Sequence, residues 1–283
     1  MRPVRRAIAR EIVALFNDTA RGEKPVVRHA DGLFGPDSIA WRVHGDVTTM
    51  MIGGVTGLLL QMLHPAVLAG VWDHSNFRGD MQGRLRRTAR FIALTTYGSR
   101  EEAEAAIERV RTIHATVAGR LSDGSRYSAD DPALLAWVHV TEVTSFLAAW
   151  MRYAEPGMPR AQQDRYFAEV AQIALALGAD PVPRDRAGAE RLIGEMRRYL
   201  HADARTREVA QLVLAQHADR PAVEPLLAIT LRAGIDLLPD WAQHMHGFET
   251  SPLARHATRA AAFGIARTLR WVFAPLGAAR GRR

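Results

Sequence analysis

The chain has 283 residues, 48% of them hydrophobic and 24% charged, which is typical of a soluble globular protein with a large core. It has no cysteine, which excludes disulfides, thiolate metal sites, iron–sulfur clusters and a thiolate-ligated haem. The formal net charge of +7 is local, because the segment 251–283 holds seven arginines and no acid. This distribution argues against a nucleic-acid-binding protein, and no nucleic-acid partner is expected.

Helical periodicity runs through nearly the whole chain, and strand alternation is almost absent. Residues 32–42, 73–80 and 122–131 are predicted to be loops. We predict an all-α fold, with a large helical domain over 1–250 in globin-like or bundle packing and a basic amphipathic helix and tail over 251–283 packed on it. The predicted helices span residues 5–16, 45–63, 82–96, 99–119, 133–153, 160–177, 187–200, 206–216, 223–237 and 252–273.

The longest apolar run extends from Met50 to Val71 and is interrupted by His64-Pro65, a pair that breaks or kinks a helix. We interpret this run as a buried core helix followed by a turn, and not as a membrane span. The basic N-terminus is not followed by an uninterrupted apolar core and does not resemble a secretory signal. Together with the absence of cysteine, this favours a cytoplasmic protein.

The C-terminal segment 251–283 combines its arginines with apolar residues at helical spacing, among them Phe263, Leu269 and Trp271. One interpretation is a basic amphipathic helix that contacts an anionic membrane surface, which would hold the protein at the inner face of the membrane. The other is a final helix packed on the domain, with a frayed arginine-rich end.

An arginine cluster stands near the start of the predicted helix 82–96. Arg84, Arg87 and Thr88 are at positions i, i+3 and i+4, and Phe91 and Thr95 continue the same face. A solvated basic face is the simplest interpretation. The cluster has no acidic side chain four residues further on, so the arginines also suit an external anion such as a propionate or a phosphate.

A histidine interrupts the apolar stripe of the predicted helix 99–119. His114 lies on that stripe between Val110 and Val117, and Arg111 is its neighbour one turn back. A histidine in this setting is either a hydrogen-bonded core residue or a metal ligand. Polar groups on core-facing positions are costly unless compensated. Haem, an anionic cofactor with a metal centre, would compensate both the arginine cluster and His114. Its carboxylates would pair with the arginines, and its iron would be ligated by the histidine.

Three further histidines are weaker candidates. His139 lies within an apolar helix, and Glu142 follows three residues later. Glu142 is either a carboxylate that orients a ligating His139 or its hydrogen-bond partner within the helix. His64 is expected to end a helix and His74 to stabilise a loop, and a ligand role is the alternative for each.

Several other kinds of site are not supported. The chain has no HExxH, no Walker loop, no GxGxxG and no GxSxG motif. A di-iron site needs Glu-x-x-His pairs on facing helices, whereas His139 and Glu142 run in the opposite order and no matching pair completes the set.

Taken together, the motifs of the first half of the chain resemble the MpaB-like oxygenase family, which includes the latex-clearing rubber oxygenases. The resemblance is specific in order and spacing over residues 41–153 and weak elsewhere. The matching segments are 58–65 (LLLQMLHP), 73–77 (DHSNF), 84–88 (RLRRT), 97–98 (YG), 111–115 (RTIHA), 127–130 (YSAD) and 137–139 (WVH).

The resemblance implies an all-helical fold and a b-type haem. Arg111 and His114 match an Arg-x-x-His element whose histidine is the proximal iron ligand in the rubber oxygenases. Arg84 and Thr88 match the distal Arg-x-x-Lys-Thr element of the rubber oxygenases. Arg87 stands at the position of the lysine, which in those proteins can ligate the iron in a closed state. Because a guanidinium has no free lone pair, Arg87 cannot ligate iron, which argues against a lysine-closed state and against rubber itself as the substrate.

The resulting hypothesis is a haem b-dependent oxygenase that uses dioxygen and acts on an apolar, isoprenoid-like or lipid-like substrate. The candidate iron ligand is His114, the candidate catalytic residues are Arg84, Arg87 and Thr88, and the candidate cofactor-binding residues are His114, Arg111, Arg84, His139 and His64. Two rival hypotheses remain. The protein either binds haem or lipid without turnover, with the basic tail at a membrane, or it has kept the fold and lost the cofactor, with His114 a core histidine.

Overall fold

The computed structural model describes residues 23–217, 221 and 223–273, so the predicted helix 5–16 and residues 274–283 of the tail lie outside the described residues. The all-α prediction is confirmed, since the described part of the chain forms helices and one small two-stranded sheet. The helices are α1 (Ile39–His44), α2 (Val47–Gln61), α3 (Pro65–His74), α4 (Met81–Tyr97), α5 (Arg100–His114), α6 (Pro132–Tyr153), α7 (Arg160–Leu177), α8 (Arg186–Met196), α9 (Ala204–Leu214), α10 (Glu224–Leu237), α11 (Asp240–His246) and α12 (Pro252–Phe273), and the strands are β1 (Ala118–Arg120) and β2 (Arg126–Ser128).

Short polar side chains begin most of these helices. A side-chain oxygen that accepts a hydrogen bond from a free backbone N–H of the first turn satisfies a donor that the helix cannot. Asp46 accepts from the N–H of Thr49 at the start of α2, and Asp80 accepts from that of Gly83 at the start of α4. At the start of α5, Ser99 forms a reciprocal capping box with Glu102.

Several helices differ from the predictions. Helix α1 begins at Ile39, inside the segment 32–42 that was predicted to be a loop, and Ser38 caps it by accepting from the N–H of Trp41. The helix predicted over 99–119 ends at His114, and an antiparallel hairpin follows that turns at Gly124, where φ is 86°. Pro65 begins helix α3, bent by 102° from α2, where a turn was predicted. The short helix α11 was not predicted, because residues 238–246 are too few to show a clear period.

The helices α2 and α6 form the centre of the molecule. A Cβ on Gly53 would lie 2.8 Å from Cδ1 of Phe146, and one on Gly57 would lie 3.2 Å from Cα of Glu142, so the two glycines allow the helix axes to approach closely. The fully buried Ile52 and Leu59 of α2, and Trp137 of α6, pack in the adjoining core.

Among the described residues, α6 is the one helix long and apolar enough to cross a membrane, and the bent pair α2–α3 passes the same test together. Most of the apolar window of α6 is buried inside the protein. The run from Met50 to Val71 contributes buried residues of its own, among them Ile52, Leu59, Leu63 and Leu68, as the prediction of a core helix expects.

Helix α12 packs on the body of the protein against α10, α2 and α6. Its buried residues are Ala262, Ala266, Leu269 and Val272, at helical spacing. Arg270 Nε lies 2.5 Å from Oδ2 of the buried Asp46, and Arg259 donates two hydrogen bonds to the buried Asp236.

Candidate functional site

Two cavities flank helix α4. Cavity A, of about 690 Å³, lies between α4 and α5 and is lined by Phe91, Leu94, Val110 and Ile113, among others. Cavity B, of about 360 Å³, lies between α4 and the helices α2, α6 and α10. Both volumes are within the range of about 300–1,000 Å³ that is usual for small-molecule sites.

The arginine cluster of α4 is divided between the two cavities, although its members are neighbours on the helix surface. Arg84 and Thr88 line cavity B, whereas Arg87 and Phe91 line cavity A. Three residues rotate by about 300°, so Arg87 lies about 60° round the helix from Arg84, and the boundary between the two cavities falls between them.

Arg87 also has a local anion, which the sequence pattern did not reveal. Its Nη1 lies 3.1 Å from Oδ2 of Asp80, the N-cap residue of α4. The prediction considered acids four residues further on, whereas this acid lies seven residues back and is brought close by its capping position. The pair is exposed and therefore stabilises the fold little.

Arg84 is in a different environment. The residue is half-buried, and its Nη1 donates to Oγ of Ser75 at 3.0 Å. No carboxylate of the described residues pairs with it. Burial lowers the pKa of Arg84, and the nearby charge of Arg87 lowers it further.

His114 ends helix α5 as a half-buried residue, and its side chain makes no hydrogen bond to any residue that the structure describes. Burial lowers the pKa of His114, while the charge of Asp130 acts in the opposite direction. Burial therefore favours the neutral imidazole, which is the form that binds a metal. His114 does not itself line cavity A, although its neighbours Val110 and Ile113 do.

Arg111, the neighbour of His114, is exposed and its Nη1 lies 3.1 Å from Oε2 of Glu108. It lines neither cavity. The structure does not bring Arg111 together with Arg84, and the cofactor-binding role of Arg111 stays a prediction.

The two other candidate histidines have distinct settings. His64 caps helix α3, where its Nδ1 accepts from the N–H of Ala66 at 3.3 Å, and its ring lies near that of Trp137. Burial lowers the pKa of His139 to about 4. The buried Nε2 of His139 has no hydrogen-bond partner among the described residues, and no bond joins its ring to Glu142.

Glu142 is the residue whose position sequence reasoning missed, since it was considered only as a partner of His139. Its carboxyl lines cavity B and makes no hydrogen bond or ion pair with a described residue. Burial raises the pKa of Glu142 to about 7. The available signal was a single carboxylate inside the otherwise apolar helix α6.

His44, which also lines cavity B, was not singled out either. Its Nδ1 is 2.8 Å from Oγ1 of Thr96 and its Nε2 is 2.8 Å from the hydroxyl of Tyr166. Burial lowers the pKa of His44 to about 3, so the ring is neutral and both nitrogens are engaged. It stabilises the junction of α1, α4 and α7 and leaves no nitrogen free for a ligand.

No group of three or more His, Asp or Glu side chains that could hold a metal ion occurs within residues 23–217, 221 and 223–273. A haem iron requires one protein ligand and not such a cluster.

A family model described as "ER-bound oxygenase mpaB/B′/Rubber oxygenase, catalytic domain" matches residues 41–271. The matched range holds all of cavity B and, apart from Glu23, all of cavity A. No curated protein and no solved structure matches the chain.

Proposed function

Because the chain belongs to the family of ER-bound oxygenase mpaB/B′ and rubber oxygenase catalytic domains, we propose that it is a haem b-dependent oxygenase acting on an apolar, isoprenoid-like or lipid-like substrate. The observation that carries this proposal is the placement of two cavities on either side of α4, one framed by arginines and the other mainly apolar.

Cavity A fits the chemistry of haem b. The apolar side chains of Phe91, Leu94 and Val110 suit the macrocycle. Arginines that line the same cavity, Arg87 and Arg90 from α4 and Arg109 from α5, suit its two propionates, since guanidinium groups bind carboxylates with parallel hydrogen bonds. When bound, the haem supplies the activation of dioxygen, which no amino-acid side chain provides.

His114 is the residue that we propose as the iron ligand. A neutral imidazole with both nitrogens free of hydrogen bonds to described residues is available for coordination. It follows Ile113, which lines cavity A, at the end of the same helix.

Cavity B is proposed to hold the substrate. Helix α2 supplies apolar side chains such as Met50 and Leu58, which exclude water from the chain of the substrate. Arg84 and Thr88 lie on its α4 wall and orient the substrate, while Arg87 lies on the haem side of the same helix.

The absorption spectrum of the purified protein, reconstituted with haemin, tests the cofactor and its ligand. We expect a Soret band for the natural protein and a shifted or lost band for His114→Ala. His256→Ala is the matched control, because His256 is exposed on α12 and far from α5 in the chain. Absence of the band, or an identical band in His114→Ala, would contradict the assignment.

A second candidate, a lipid-binding protein without turnover, is favoured by the outer face of α12. Phe263 is 44% and Phe273 39% exposed there, beside the exposed Arg267. This candidate predicts sedimentation with anionic vesicles that Phe263→Ser weakens, together with no oxygen consumption on any apolar substrate. Oxygen consumption that depends on such a substrate would reject it in favour of the oxygenase.

A further inference from the structure

Cavity B is mainly apolar, and two of the ionisable groups that line it, Arg84 and Glu142, do not pair with each other. Its apolar wall is built from four helices, with Met51 and Leu58 from α2, Leu85 and Ile92 from α4, Phe146 from α6 and Leu231 from α10. Arg84 stands on the α4 wall and Glu142 on the α6 wall.

The cationic group lacks an anion. Arg84 is half-buried, its one hydrogen bond goes to the neutral hydroxyl of Ser75, and no carboxylate of the described residues compensates its charge. A partly buried cation without a counter-ion is costly to the fold, so a ligand anion at this position would stabilise it.

The acidic group does not supply that anion. Burial raises the pKa of Glu142 to about 7, so the carboxyl resists ionisation and is a poor counter-ion. The pKa of Arg84 is lowered by burial and by the charge of Arg87. The two side chains belong to different walls of the cavity, Arg84 to α4 and Glu142 to α6, and no hydrogen bond or ion pair joins them.

We propose that cavity B binds a single-chain lipid acid, such as a fatty or isoprenoid acid, whose carboxylate pairs with the guanidinium of Arg84 and whose apolar chain extends past Glu142. A planar carboxylate matches the fork of a guanidinium, and the apolar wall matches the chain. The role of this ligand as a substrate rests on the proposed function, whereas its binding does not.

Glu142 links the site to pH. An apolar chain that removes water from this carboxyl favours its protonated form, so the affinity is expected to fall as Glu142 ionises around pH 7. Two histidines beside it do not titrate there, because burial holds the pKa of His44 at about 3 and that of His139 at about 4. The other titratable or charged groups that line the cavity or face Glu142 are Arg84, Arg86 and Tyr97 on α4, Tyr166 on α7 and His217 after α9.

Displacement of a fluorescent fatty-acid probe by palmitate, with hexadecanol as the uncharged analogue, tests the proposal on the full chain. We expect palmitate to bind at least about tenfold more tightly than hexadecanol, and Arg84→Gln to remove most of this difference. Arg84→Lys should keep part of it, because the charge remains. Arg100→Gln, an exposed arginine at the start of α5, is the control and should bind as the natural protein does.

The same assay at pH 6 and pH 8 tests Glu142. The natural protein and the His256→Gln control should bind palmitate more weakly at pH 8, while Glu142→Gln should lose this pH dependence. Equal affinity for palmitate and hexadecanol, or no effect of Arg84→Gln in a protein with an unchanged circular dichroism spectrum, would overturn the proposal.

Competition with haemin separates this site from the haem site. We expect palmitate binding without haemin and undiminished binding after the Soret band has formed. Displacement of palmitate by haemin would mean that haem itself occupies cavity B, which overturns the present proposal and leaves the haem-dependent function standing. Palmitate binding in a protein that never takes up haem would reject the function and keep the site.

Discussion

At the scale of single residues, burial decides the protonation state of the groups around cavity B. His44 and Glu142 line the same cavity, yet burial shifts their pKa values in opposite directions, because the charged form is the cation for one and the anion for the other. Both groups are consequently neutral near pH 6, and the cavity keeps an apolar character despite its ionisable side chains.

Glu142 should make the stability of the protein depend on pH. Its pKa rises from 4.5 to about 7 on folding, so the folded state holds this proton while the unfolded state has released it. The destabilisation is absent below pH 4.5, grows as the pH rises, and levels off above pH 7 at about 3 kcal/mol.

Glu142→Gln should therefore be more stable than the natural protein at pH 8, and the gap should close towards pH 4.5. Urea unfolding at a series of pH values measures this difference. Glu104→Gln, on the exposed face of α5, should show no such trend. A gap that is constant with pH would contradict the burial of an ionisable carboxyl at residue 142.

At the scale of elements, the contact of α2 with α6 fixes the wall of cavity B. Gly53 and Gly57 lie in close contact with the backbone of α6. Gly54 points away from this contact, and a Cβ there would be 3.9 Å from Cε1 of Phe146. The sequence predicted α2 as a core helix. It did not show which of the three glycines contact α6, because that depends on how the two helices pack.

Gly53→Ala should destabilise the protein by about 1–3 kcal/mol, because the new methyl group would meet Phe146 and the carbonyl oxygen of Ser145 at less than 3.0 Å. Gly54→Ala has room for the methyl group and should be neutral or stabilising by up to about 1 kcal/mol through helix propensity. Thermal unfolding of the two variants measures the contrast. Equal melting temperatures would show that α2 and α6 do not approach as closely as described.

At the scale of the whole molecule, α12 is fixed to the body by arginines that reach buried carboxylates. Arg270 binds Asp46, which also caps α2, and donates to the carbonyl oxygen of Tyr153 at 2.9 Å at the end of α6. One side chain near the end of the chain thus joins three helices that are distant in sequence.

Arg270→Gln should lower the free energy of unfolding by about 3 kcal/mol, because it leaves the buried carboxylate of Asp46 without its counter-ion. Arg267→Gln, on the exposed side of the same helix, should change it by less than about 0.5 kcal/mol. Chemical denaturation of both variants measures the difference. If the two variants lose equal stability, the anchoring of α12 does not depend on the Asp46 pair.

The sequence alone determined the helical class, the bounds of α7 and α12 to the residue, and the family motifs, because helical period and capping are local properties. It did not determine which side of α4 each arginine faces, since Arg84, Arg87 and Thr88 lie close together on the helix surface. It also did not reveal Asp80 as the partner of Arg87. Only the tertiary structure placed α5 on one side of α4 and α2 with α6 on the other. This packing places the arginines of α4 in two separate cavities and leaves the carboxyl of Glu142 unpaired in cavity B.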